Sequence, residues 1–95
     1  MLTIEQIADA AKIAAKEYPI KKISLFGSYA SGTNTENSDV DLLVEFESES
    51  VSLLTLAALK YRMEELLGKE VDIIHAPVPQ ESILEIDNEV SLYAA

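Results

Sequence analysis

The sequence contains no cysteine and no tryptophan, and only one histidine, three glycines and three prolines. Without thiols there are neither disulfides nor thiolate zinc sites, and His75 alone cannot build a histidine-rich metal cluster. Basic residues are scarce too: 7 Lys and Arg stand against 17 Asp and Glu, a formal charge of −10 over 95 residues. A surface of that sign repels a phosphate backbone, which argues against a polynucleotide-binding module. Apolar runs reach only a few residues, whereas a bilayer-spanning helix needs about 20. Met1 to Glu5 lacks the basic start of a signal peptide. These absences predict a cytoplasmic protein with no membrane partner.

What is present suffices for a core, since 48 % of the residues are hydrophobic, and the length predicts a single domain over 1–95. Thr3 and Gln6 have capping-box spacing, and Ile4, Ile7, Ala8, Ala11 and Ala15 continue at helical spacing until Tyr18 meets Pro19. Lys22 to Phe26 alternates as a short strand, and Asp39 to Phe46 reads as another, with Leu42-Leu43-Val44 suggesting burial on both faces. Ser52 caps a second helix with Leu53, Leu56, Ala57, Met63, Leu66 and Leu67 as its apolar stripe and Gly68 as its stop. Val71 to Ile74 is a third strand. Past Pro77 and Pro79, Ile83, Leu84, Ile86 and Val90 suggest a last helix, with an extended segment over Asn88 to Tyr93 as the alternative. The fold class is α/β (α+β), a small mixed β-sheet covered by helices.

Three features bear on chemistry. Gly27-Ser28 follows a strand and opens a short helix, where backbone N–H groups and the Ser28 hydroxyl can meet a phosphate, although such turns also cap helices with no ligand at all. Asp39 and Asp41, two apart, project from one face of a strand, close enough to share a hard divalent cation such as Mg²⁺; a solvated strand end gives the same pattern. Asp72 interrupts an apolar strand. It either completes a site for two metals or serves as an edge charge against aggregation. No Lys or Arg lies between Ile23 and Leu59 or after Lys69, so the phosphate loop has no cation of its own. Lys60 and Arg62 read as a solvated helix face, His75 as a strand-end residue, and Glu45, Glu47 and Glu49 as a solvated or partner-facing surface.

In order, Leu25-Phe26-Gly27-Ser28-Tyr29-Ala30-Ser31-Gly32, Ser38-Asp39-Val40-Asp41-Leu42-Leu43-Val44 and Val71-Asp72-Ile73-Ile74 resemble the DNA polymerase β-like nucleotidyltransferase superfamily, closest to its minimal nucleotidyltransferases. The resemblance implies that Gly27 and Ser28 bind nucleotide phosphates and that Asp39, Asp41 and Asp72 are catalytic and hold two Mg²⁺ ions. It further implies AMP transfer from ATP to a hydroxyl of a protein partner, a HEPN-domain toxin, within a toxin–antitoxin pair. At 95 residues the site reads as open on one side, which leaves room for a homo- or hetero-oligomer in which a second copy or a partner completes it. In one position the chain departs from the family: Ser31 stands where many members carry Arg or Lys. That departure leaves a second reading, a catalytically weak or inactive antitoxin that neutralises a HEPN ribonuclease by binding.

Overall fold

The computed structural model describes residues 2–48, 51–75 and 89–94. The first helix, α1, spans Ile4–Glu17 and begins with a reciprocal cap: the Gln6 N–H donates to Thr3 Oγ1 at 3.1 Å and the Thr3 N–H to Gln6 Oε1 at 2.9 Å. It ends at Tyr18, whose extended backbone suits the residue before a proline. Strand β1, Ile20–Phe26, starts two residues earlier than its alternation predicts. A one-turn helix α2, Ser28–Ser31, follows at once, then β2 at Val40–Phe46, α3 at Leu53–Leu67, β3 at Val71–His75 and β4 at Val90–Ala94.

The described strands form one mixed sheet in the order β3-β2-β1-β4. β1 is antiparallel to both β2 and β4, whereas β2 and β3 are parallel and are joined through α3, the crossover that a parallel pair requires. Val40, Leu42, Val44 and Phe46 of β2 are buried and pack with Ile23, Leu25 and Val71 into one core. That core also takes in Ile7, Ala11 and Ala14 of α1 and Leu59 and Met63 of α3. Alternation along β2 therefore turns Asp41, Leu43 and Glu45 to the opposite face. Leu43 is half-buried there, so the expected burial on both faces is incomplete.

One expectation needs correction, and one open alternative is decided. The buried side of α3 is Leu59, Met63 and Leu67, with Leu56 and Leu66 half-buried, while Leu53 is 83 % exposed and Ala57 is exposed as well. The helix therefore buries residues of its later turns only. The segment ending the described chain is the extended alternative: Val90 to Ala94 add β4 to the free side of β1. The expected helix through Ile83, Leu84 and Ile86 lies outside the described residues.

Candidate functional site

The sharp junction between β1 and α2 brings the site together. Gly27 has φ 74° and ψ −152°, which reverses the chain directly after Phe26, and α2 is anchored by the buried Tyr29. Phe26 is paired with Asp41 across β1 and β2, so the turn stands over that carboxylate. A Cβ on Gly27 would overlap Asp41 Oδ2 and lie 3.2 Å from Asp41 Cγ. Gly27 is thus required by backbone conformation and by space at once.

Asp72 reaches the same place through the parallel pairing. Its register partner is Asp41, one step after Val40 is paired with Val71. Asp39 is exposed just before β2 and belongs to the same acidic group. Partial burial holds the Asp41 carboxyl above the usual aspartate range, and the charges of Asp72 and Asp39 and a side-chain hydrogen bond with Asp72 push it further up. The three carboxylates expected to act together are therefore electrostatic neighbours. Asp72 also lies on β3, the outermost of the described strands, which is where an edge charge would stand.

Ser28 opens α2, and its carbonyl accepts from the Thr33 N–H at 3.0 Å. Ser31 is exposed, its hydroxyl donating to the Ser28 carbonyl at 3.2 Å and sharing a hydrogen bond with Thr33 Oγ1 at 2.9 Å. A serine tied into its own turn offers no substitute for a basic side chain. A cavity of about 410 Å³ lies nearby, between Gln6, Tyr29, Leu67 and Lys69, but none of the three aspartates lines it.

The cations differ from the sequence reading. Lys60 is no freely solvated residue: its Nζ donates to the Val71 carbonyl at 2.8 Å and to Glu64 Oε2 at 3.0 Å. Its hydrogen bond to Glu64 holds its pKa above the ordinary lysine value against partial desolvation, and the charges of Glu64, Asp72 and Glu70 act in the same direction. Glu64 is held below the usual range by the Val71 N–H, at 3.1 Å, and then by Lys60. Arg62 reaches across to α1, with Nε 2.9 Å from Glu17 Oε1, and also pairs with Glu65 at 2.6 Å. The i, i+4 spacing of Lys60 and Glu64 is visible in the sequence, whereas their grip on Val71 arises only from the packing of α3 on β3. His75 ends β3 as expected, its ring edge-on to Phe46.

Among the described residues no group of three or more acidic or histidine side chains forms a ready-made metal cage. The carboxylates are near enough to raise the pKa of Asp41, but they do not by themselves enclose an ion.

The nucleotidyltransferase domain family matches residues 7–92, a span that includes the turn and all three aspartates. The chain belongs to this family. Protein adenylyltransferase MntA of Thermococcus cleftensis is 42 % identical to this nucleotidyltransferase over 78 residues, 78 % of each chain. Protein MJ0435 of Methanocaldococcus jannaschii is 53 % identical over 58 residues, 61 % of each chain, so the alignment spans about three-fifths of that relative. In fold, this nucleotidyltransferase is similar to a toxin–antitoxin structure with AMP-PNP, at TM-score 0.78, 20 % identity and coverage of 93 % of this chain and 73 % of the other. It is also similar to a chain of the complex between a tri-AMPylated HEPN toxin of Shewanella oneidensis and its MNT antitoxin, at TM-score 0.72, 14 % identity and coverage of 98 % and 74 %. Among the described residues of this nucleotidyltransferase no helix is long and apolar enough to cross a membrane.

Proposed function

We propose that this nucleotidyltransferase transfers AMP from ATP to a hydroxyl of a protein partner, and that the partner is a HEPN-domain toxin for which it is the antitoxin. The observation that carries the reading is the side-by-side register of Asp41 and Asp72 beneath the Gly27 turn. Gly27 admits the triphosphate to the backbone, and the Ser28 hydroxyl donates to a phosphate oxygen. Asp72 lies on the acceptor side, where its carboxylate orients the attacking hydroxyl. That oxygen bonds to the α-phosphorus as the bond to the β-phosphate oxygen breaks, its proton passing to the Asp72 carboxylate and pyrophosphate leaving.

Asp39, Asp41 and Asp72 offer oxygen donors only, which suits Mg²⁺, and the repulsion that adds to burial in raising the Asp41 pKa is what a divalent cation relieves. Two Mg²⁺ ions, when bound, neutralise the triphosphate and lower the pKa of the acceptor hydroxyl. The names and subjects of the similar proteins, an adenylyltransferase and an AMPylated HEPN toxin beside its antitoxin, favour the same substrate and partner.

Incubation with Mg²⁺, labelled ATP and a HEPN-domain protein from the same organism is expected to label that protein, and Asp41→Ala is expected to remove the label. Ser31, which leaves α2 without a cation, favours the second reading of an antitoxin that acts by binding. Protection from the toxin by Asp41→Ala as complete as by the wild type would decide for that reading.

A further inference from the structure

β3 is the outer of the described strands, and its first residue turns its backbone away from β2. Strand geometry alternates these directions: the Glu70 carbonyl accepts from the Val40 N–H at 3.0 Å, so Val71, the next residue, points its N–H and carbonyl outward. Both groups would be open hydrogen-bonding sites on a sheet edge. Instead, Lys60 Nζ donates to the Val71 carbonyl, Glu64 Oε2 accepts from the Val71 N–H, and the two side chains, one turn apart on α3, bond to each other. The cycle is closed: every polar partner in it is supplied by α3 or by Val71, whose side chain is fully buried.

We propose that Lys60 and Glu64 are positioning residues that fix the start of β3 so that Asp72 stays opposite Asp41, and thereby set how tightly the acidic group takes a divalent cation. The inference rests on the metal-binding reading above. The side chains of an outer strand are held by pairing on one side only, and carboxylates that share an ion need placement within about 0.5 Å. Hydrophobic contact of Val71 alone resists sliding along the strand poorly, because neighbouring apolar atoms are interchangeable. Two directed hydrogen bonds to one residue fix its position along the strand. Lys60 also places a positive charge near Asp72, which moderates repulsion without competing for the ion.

The test uses the full chain, Mn²⁺ as the probe, and Lys60→Met, Lys60→Arg and Glu64→Gln. Amide hydrogen exchange at Val71 and Asp72, read without metal, is expected to accelerate in Lys60→Met and to return towards wild type in Lys60→Arg, which keeps a donor. Mn²⁺ broadening of the Asp72 amide resonance is expected to need about 10-fold more metal in Lys60→Met, the size typical of lost outer-shell support. Exchange and Mn²⁺ titration curves of Lys60→Met superimposable on wild type would overturn the proposal. Should Lys60→Met not fold, Glu64→Gln decides in the same way, since it loosens Lys60 while keeping an acceptor for Val71. If Mn²⁺ fails to broaden Asp72 in the wild type, the metal reading is lost, and unchanged exchange separately rejects the clip.

Discussion

The Asp41 carboxylate fills the volume into which a side chain at position 27 would project, and Gly27 has the positive φ that brings the turn down onto it. Gly27→Ala is expected to cost about 1–3 kcal/mol from the backbone alone, because that region is nearly closed to other residues, with the collision added. Gly68→Ala is the comparison: φ there is 67° and nothing lies within 4 Å of the new Cβ, so the cost is about 1 kcal/mol. Urea denaturation measures both. Asp41→Ala removes the collision but not the strain, so Gly27→Ala should destabilise less in that background, and a coupling of zero in the double-mutant cycle would refute the competition for space.

The raised pKa of Asp41 has a definite sign for stability. An acid whose folded pKa exceeds its unfolded value binds its proton more tightly when folded, so its ionised form opposes folding. The penalty is complete above the folded pKa and is relieved as pH falls from there to the unfolded value near 3.8. Without metal, Asp41→Asn is therefore expected to melt at a higher temperature than wild type at neutral pH. The gap between the two should close as pH falls through that window, and a mutant that melts lower at neutral pH would contradict it.

Mg²⁺ should act on the same repulsion. A ligand that binds only the folded state stabilises it by about 1.4 kcal/mol for each tenfold rise in concentration above its dissociation constant. Thermal melts of the wild type are expected to shift upward with Mg²⁺, more so with ATP present, and the shift should be largely lost in Asp41→Asn and in Asp72→Asn. An equal shift in all three proteins would place the ion elsewhere.

Local chemistry accounts for what could be read before the fold was known. The Thr3–Gln6 cap, the stop at Pro19, the left-handed Gly68 and the Gly27-Ser28 turn depend on a few adjacent residues, and all are found where the sequence puts them. The sequence leaves Asp72 between a metal ligand and an edge charge, and it is the parallel register of β3 on β2 that sets it opposite Asp41. The role of Lys60 is hidden in the sequence because one of its two partners, the Val71 carbonyl, is a backbone group of a distant residue, which no spacing rule records. The extent of Val90–Ala94 was ambiguous because five residues support either periodicity, and only the open side of β1 decides between them.

The misplaced stripe of α3 gives the sharpest test of the packing. Leu59 and Met63 are fully buried, whereas Leu53 and Leu54 are each 83 % exposed. All four are large and apolar, so composition alone treats them as equal, and only the position of the helix over the sheet separates them. Met63→Ala leaves a cavity among well-packed neighbours and is expected to cost about 2–5 kcal/mol. Leu53→Ala and Leu54→Ala remove atoms already in water and should change stability by no more than about 0.5 kcal/mol. Chemical denaturation of the three variants checks the ordering. Comparable losses at Leu53 and Met63 would mean that the first turn of α3 is covered in solution, by another chain or by a different placement of the helix.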